Sequence, residues 1–320
     1  MKLIKTEEAV GHVLCHDLTQ IIKDQYKDAR FRKGHVVTEE DIPVLLSMGK
    51  EHLYVWEMTP GMLHENDAAE RLYALCVGDH MDRSEVKEGK IELKAACDGL
   101  FRVNSEKLMA VNSIEDIMIA TRKGGTAVRK GDKLAGMRVI PLIIPEEKLQ
   151  AAEQAAGDTP LLELKPWVRR TAAIVATGSE VKKGLIQDTF TPVVKDKLAF
   201  YGIETLSVSY SGDGVENVAN AIKEARATGA DVILCTGGMS VDPDDNTPGG
   251  IKESGAKIIT YGAPVLPGAM FLLGYYDDGT PVMGLPGCVM YAGATIFDLV
   301  LPFVAADVPV TRQQIVAPGE

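Results

Sequence analysis

Three carboxylates follow a glycine turn: Thr236, Gly237 and Gly238 lead through Met239 and Ser240 to Asp242, Asp244 and Asp245. Adjacent glycines let the main chain turn sharply and present N–H groups to a phosphate or carboxylate with no Cβ in the way. Clustered carboxylates beside such a turn make the hard-oxygen environment that Mg²⁺ prefers. The chemistry on offer is the joint holding of an anion and a divalent ion. The same residues also read as an acidic, solvated turn, because Asp, Pro and Gly are ordinary loop residues.

Such a turn needs a strand beneath it. Residues 231–235 read as a short buried parallel strand, which sets the glycines at its carboxyl end, where open α/β sheets place their ligands. Residues 172–176 read as another, opening into Thr177, Gly178, Ser179 and Glu180. Asp188 or Thr189 then caps an amphipathic helix running to about Tyr201, with Pro192 in its first turn and Gly202 at its end. A strand over 203–210, a turn over 211–214 and a helix over 215–228 follow. This alternation predicts an α/β fold with a doubly wound, mostly parallel sheet. Two more loops carry the same punctuation, residues 262–268 with Pro267 and Gly268, and residues 284–288 with Pro286 and Gly287. The second leads into an apolar helical stretch over 290–303, whose free N-terminal N–H groups attract negative charge. Together the loops read as one rim.

These motifs occur in a set order: Thr177-Gly-Ser-Glu-Val181, Ile186-Gln-Asp-Thr189, Thr236-Gly-Gly-Met-Ser240, Asp245-Asn-Thr-Pro248, Pro264-Val-Leu-Pro-Gly268 and Gly284-Leu-Pro-Gly287. The segment from about 170 to 303 resembles the molybdenum cofactor biosynthesis (molybdopterin-binding) domain shared by molybdopterin adenylyltransferases and molybdotransferases. The resemblance implies that Thr177, Gly178, Ser179, Glu180, Thr236, Gly237, Gly238, Met239, Ser240, Pro267, Gly268, Pro286 and Gly287 line a pocket for the pterin and its phosphate. It implies roles in cofactor or Mg²⁺ binding for Glu180, Asp188 and Asp245, with Asp242 beside them as a further metal ligand, and it makes Asp245 and Asp188 the catalytic candidates.

The chain also departs from that pattern. A lysine is common in the family's Pro-Gly-Lys-Pro loop, whereas residues 264–270 hold no basic side chain. Cys288 and Val289 replace the usual Asn-Pro, Phe190 stands where molybdotransferases have Asn, and their Ser-x-x-Asp-Gly-Tyr-Ala motif is missing from the first 150 residues. Pocket binding survives these differences, while the transfer reaction is placed in question.

The first half, residues 1–150, reads as a smaller α+β or β-rich accessory domain. Short β segments are predicted at 10–15, 18–22 and 52–56, and a helix over 38–48 that Thr38 and Asp41 start and Gly49 stops. Gly11 to Leu18 resembles the opening of the molybdotransferase accessory domain. Residues 65–78 read as an amphipathic helix, residues 91–144 as β runs separated by turns, and residues 146–166 as the connector. That division gives 1–150, a connector at 151–168, and the α/β domain at 169–320.

All six histidines lie at or before His80, so histidine acid–base chemistry is excluded from the resembling segment and carboxylates must move any protons there. His12, Cys15 and His16 invite a metal reading, yet their spacing sets them on opposite faces of a strand. Cys288, in the Leu-Pro-Gly turn, reads either as an activated thiol or as a small packing residue. Five cysteines with no paired spacing point to a reducing cytoplasm, and no apolar run is long enough to span a bilayer. At 320 residues, 46% hydrophobic, the chain has room for two domains, and its formal net charge of −11 argues against nucleic acid. Lys182 and Lys183 are the nearest basic residues to the first glycine loop.

The reading is a cytoplasmic molybdopterin-binding protein of molybdenum cofactor biosynthesis or maturation, taking molybdopterin or its adenylylated form with Mg²⁺. The resemblance adds a homo-oligomer and a recipient molybdoenzyme as partners. Two alternatives stay open, a non-catalytic carrier or insertion chaperone and a nucleotide pyrophosphatase on the same fold.

Overall fold

The computed structural model describes residues 2–22, 26–55 and 60–319. The chain folds into two compact units, one from residues 1–96, 103–124 and 131–163, the other from 97–102, 125–130 and 164–320.

The first unit is rich in antiparallel strands. Its largest sheet has the order Met81–Arg83, Lys90–Ala95, Lys133–Val139, Ile117–Thr121. Helix Glu65–Cys76 packs on it through Ala68, Ala69, Leu72 and Cys76, and its N-cap is His64, whose side chain accepts from the Asn66 amide. The strand expected to reach Trp56 is seen over His52–Val55, and Trp56 lies outside the described residues. Two segments differ from the sequence reading. Residues expected to be β runs contain a helix, Ser105–Asn112, which Asn104 caps by accepting from the Lys107 amide. The expected connector begins with a helix, Glu146–Ala156, because Leu149, Ala152 and Ala156 fall on one face and are fully buried.

The second unit holds the predicted α/β fold. Its elements run β1 (Thr171–Thr177), α1 (Phe190–Ala199), β2 (Glu204–Ser211), α2 (Val215–Ala227), β3 (Val232–Thr236), α3 (Thr247–Glu253), β4 (Lys257–Tyr261), β5 (Leu272–Tyr275), β6 (Pro281–Leu285) and α4 (Ile296–Ala305). The sheet order is β2-β1-β3-β6-β5-β4. The β2-β1, β1-β3 and β3-β6 pairs are parallel, and β6-β5 and β5-β4 are antiparallel.

Both faces of the sheet are covered. On one, Ile174, Leu234 and Met283 meet Val194 and Leu198 of α1 and Phe297 and Leu301 of α4. On the other, Val175, Ile233 and Cys235 meet Val218 and Ile222 of α2 and Ile251 of α3. Each fully buried aliphatic side chain contributes about 1.5–3 kcal/mol. Continuous apolar runs such as Val232–Cys235 are what a strand buried on both faces requires.

The apolar stretch after β6 departs from expectation. Gly287–Met290 form a short 3₁₀ turn, and α4 starts only at Ile296, behind a capping box between Thr295 and Asp298. The Phe297 amide donates to the Thr295 hydroxyl. Part of the helix start that was expected to attract an anion is therefore satisfied by its own side chains.

Candidate functional site

The strand order places a crevice. From β1 the chain moves to β2 on one side, then returns across β1 to β3 on the other. The loop after β1 leads to α1 on one face of the sheet, and the loop after β3 leads to α3 on the opposite face. The two loops diverge at the carboxyl ends of paired strands, where Ala176 is opposite Thr236 and Thr236 is opposite Leu285. Ligands of open α/β sheets bind at such a switch point.

At the crevice, Gly237 and Gly238 have φ of +83° and +55°, the left-handed region that glycine adopts without penalty. A Cβ on Gly237 would lie 2.3 Å from the Thr177 carbonyl oxygen, so the turn admits no side chain there. The β3–β6 register ends with Thr236 opposite Leu285, and because Pro286 has no N–H the closing ladder bond comes from the Gly237 amide. Among the described residues, the N–H groups of Gly238, Met239 and Ser240 make no hydrogen bond outside helices and strands. A run of unpaired N–H groups on a left-handed turn forms a nest for an anion.

Threonines hold this turn in place. The Thr177 hydroxyl is 3.0 Å from the Thr236 carbonyl oxygen and 2.9 Å from the Thr247 hydroxyl. The Thr247 hydroxyl is 2.8 Å from the Gly237 carbonyl oxygen. Two hydroxyl hydrogens thus serve three contacts. Thr236 and Thr247 are buried, and the hydroxyls of Thr177 and Thr247 brace the turn.

Asp188 serves first as a cap. Its Oδ1 accepts from the Phe190 and Thr191 amides, both at 3.0 Å, at the start of α1. Burial raises the pKa of the carboxyl, but hydrogen bonds from Thr191, Phe190 and the Tyr210 hydroxyl outweigh it and hold the group below the ordinary carboxylate value. The Thr191 and Tyr210 hydroxyls stand beside the carboxylate, yet its buried Oδ2 has no partner at full hydrogen-bonding geometry. Next to it, the Thr189 hydroxyl lies 3.1 Å from the Met290 sulfur, which ties the loop after β1 to the turn after β6.

Asp245 lies in the loop after β3. Its amide donates to the Asp242 carbonyl at 2.9 Å, and the Asp242 amide reaches the Asp245 carboxylate at 3.4 Å. Burial and the charge of Asp245 both raise the pKa of the Tyr261 hydroxyl, which donates to the Met239 carbonyl at 3.0 Å. Among the described residues no group of three His, Cys, Asp or Glu is placed to hold a metal ion. Asp188, Asp242 and Asp245 therefore do not form one group of three, while Asp242 and Asp245 lie together.

The other residues of the expected pocket separate by role. The Gly178 amide donates to the Ser211 carbonyl, and the exposed Glu180 folds back over Gly178. The Ser179 hydroxyl accepts from the Asp213 amide at 3.4 Å, bringing the loop after β2 to the same edge. The Met239 side chain is buried in the core against Gly284 and Ile251. Ser240 is exposed, and its carbonyl accepts from Tyr261. Gly268 lets the loop after β4 approach Ile296, since a Cβ there would be 2.6 Å from that side chain. Pro267 is exposed, Pro286 is buried, and Gly287 faces open space. Burial pushes the Cys288 thiol up, the opposite direction from the shift that activates a thiolate. In the first unit Cys15 is buried with its thiol pKa raised and His12 is exposed, and they form no metal group with His16.

Thr247, Tyr210, Asp213 and Tyr261 were missed by reading the sequence. Asp213, beside Gly212 and Gly214 after a strand, carried a legible turn signal. Thr247 stood inside the Asp245-Asn-Thr-Pro248 motif with no role assigned, and Tyr261 carried no signal, because their partners are remote in the chain.

Residues 173–306 match the family described as "Probable molybdopterin binding domain", and residues 3–57 match a domain of unknown function, DUF8806. Over 86 residues the chain is 37% identical to a CinA-like protein of Desulfosudis oleivorans, a stretch that is 27% of this chain and 21% of that protein. It is 34% identical over 76 residues to a CinA-like protein of a Mycobacterium species, 24% of this chain and 18% of that one. The matched stretches thus span about a fifth of these relatives' length. Among solved structures, the Mog protein of Mycobacterium ulcerans is similar with TM-score 0.36 and 21% identity over 42% of this chain and 94% of its own. The CinA protein of Thermoplasma acidophilum is similar with TM-score 0.36 and 17% identity over 42% of this chain and 98% of its own. The C-terminal region of this chain, with its switch-point crevice and ordered glycine loops, contains a domain of the molybdopterin-binding fold.

Proposed function

We propose that the C-terminal unit binds a pterin phosphate, molybdopterin or its adenylylated form, in the crevice between β1 and β3 and passes it on unchanged. The observation that carries this reading is the run of N–H groups from Gly238 to Ser240 that make no hydrogen bond outside helices and strands, on a left-handed turn. Oriented amides offer a phosphate hydrogen bonds without a desolvated lysine. The buried Oδ2 of Asp188, lacking a partner of good geometry, supplies an acceptor for an amino or amide N–H of the ring.

Carriage is favoured over transfer by the site's own chemistry. Phosphoryl or adenylyl transfer draws on clustered charge to stabilise its transition state. Here the acidic residues form no metal-holding group among the described residues, and Asp188 is engaged in capping α1. In this reading Asp245 and Asp188 position the ligand. The curated relatives matched carry the CinA-like name rather than that of a transferase, which also leans away from transfer.

The test is incubation of the purified protein with each pterin, and separately with a plain dinucleotide such as ADP-ribose, followed by chromatography of the recovered ligand. Recovery of intact pterin from the bound fraction is expected. Stoichiometric loss of the adenylyl group, or hydrolysis of the dinucleotide with no pterin bound, would replace carriage with catalysis.

A further inference from the structure

The four most exposed large hydrophobic residues among those described are Leu266 at 86%, Val241 at 82%, Tyr291 at 77% and Leu185 at 73%. They stand on four different loops, after β4, β3, β6 and β1 respectively. Because β5 is antiparallel to both of its neighbours, β4 runs in the same direction as β6, β3 and β1, and all four loops leave the same edge of the sheet. Three ties join the loops into one rim: Thr189 to Met290, Tyr261 to the Met239 carbonyl, and Gly268 against Ile296. Single exposed hydrophobics are ordinary, but one at each loop around a ligand crevice marks a surface that another body covers.

The width of the rim selects the kind of body. β1 and β4 are four strand steps apart, so their loops leave the sheet about 19 Å from each other at roughly 4.8 Å per step. That exceeds the width of a fused pterin ring system, and a phosphate or adenylyl extension is polar, so the crevice ligand does not supply an apolar cover to all four tips. Charge narrows the choice further. Glu180, Asp213, Asp242 and Asp244 are exposed on the loops after β1, β2 and β3, against Lys182 and Lys183. An anionic membrane or the same face of a second copy would meet like charge.

We propose that this rim is the docking face for a protein partner whose contact surface is apolar at its centre and lysine- or arginine-rich on the side facing the loops after β2 and β3. The partner covers the crevice mouth, so that a ligand leaving the glycine turn passes to it without entering bulk water. The proposal rests on the reading that the crevice holds a ligand, and it names the recipient's surface chemistry.

The experiment places p-benzoylphenylalanine at 185, 241, 266 and 291, one position at a time, in the full chain in its native cells. Photo-crosslinked products are identified, and the shared product is purified for binding measurements. All four positions are expected to label one protein, through a segment rich in Lys and Arg. Leu266→Ser combined with Val241→Ser should weaken the purified pair about tenfold or more, because apolar anchors at an interface centre carry most of its binding energy. Added salt should weaken it further. The melting temperature and the affinity for molybdopterin should not change. Labelling of the chain itself, of lipid, of four unrelated proteins or of no macromolecule would overturn the proposal, as would undiminished binding by the double variant. Docking without any pterin affinity would sink the ligand reading alone, and pterin affinity without docking would sink this one alone.

Discussion

The Thr177 hydroxyl lies 2.9 Å from the Thr247 hydroxyl, pinning the loop after the first strand of the sheet to the start of the helix that follows the third. Neither threonine needs to touch a ligand for this to matter. The pair holds the glycine turn in its left-handed shape. Thr247→Val keeps the volume and removes the hydroxyl, leaving the Gly237 carbonyl without that partner. The variant should lose about 1–3 kcal/mol in urea unfolding, the usual cost of a buried polar group left unpaired. Its pterin affinity should fall with it, and an unchanged affinity would mean that the turn keeps its shape without the pair.

Met239 sits within the Gly-Gly-Met-Ser motif, yet its side chain packs against Gly284 and Ile251 in the core. Met239→Ala should therefore cost about 2–5 kcal/mol of stability, as truncations of buried large side chains do. A loss of affinity with full stability would instead make it a ligand contact. Chemical denaturation separates the two.

Asp188 caps α1, so Asp188→Ala should destabilise the second unit by about 0.5–2 kcal/mol near neutral pH. The sign of its pH dependence follows from the direction of its shift. The folded-state pKa lies below the unfolded value of 3.8, so the contribution is fully present above 3.8 and is lost as pH falls through the folded value. Wild type and variant should therefore converge in stability in strong acid, and thermal melts across that range read the convergence directly.

His64 predicts a second pH window, in the first unit. Its Nδ1 accepts from the Asn66 amide at 3.1 Å and contacts the Lys33 ammonium at 3.1 Å, while its other ring nitrogen meets the Cys15 carbonyl. Burial and the charge of Lys33 hold its pKa below 6.5. The unfolded chain therefore binds a proton first, and stability present above pH 6.5 is lost as pH falls through the folded value. His64→Asn retains a capping oxygen and does not titrate. It should flatten the slope below 6.5, leaving the share of His16, whose pKa burial also lowers. An unaltered slope would place the titration elsewhere.

Much of the α/β fold was legible because its strands are short apolar runs followed by glycine turns, as at Val232–Thr236 and Gly237. The strand order was not legible, since nothing local tells β3 to cross β1. Thr247 was hidden for the same reason: its partner Thr177 is 70 residues away. The start of α4 was overrun by the apolar stretch before it, although Thr295 and Asp298 carry the capping signature. In the first unit, Ser105–Asn112 was read as strand because eight residues between β turns show too little helical period to stand out. The glycine turn was found because left-handed backbone restricts the sequence directly, whereas the spacing of Asp188, Asp242 and Asp245 depends on where two separate loops meet; Asp242 and Asp245 touch, and the three form no single group.

Calorimetric titration of molybdopterin into the wild-type protein and into Gly237→Ala tests the central claim most directly. A Cβ at Gly237 strikes the Thr177 carbonyl and strains a left-handed residue, so the turn must open while the sheet beneath it stays folded. Saturable binding by the wild type, and loss of most of that affinity in a variant with unchanged circular dichroism, is the predicted result. Equal binding by both proteins, or binding by neither, would contradict it.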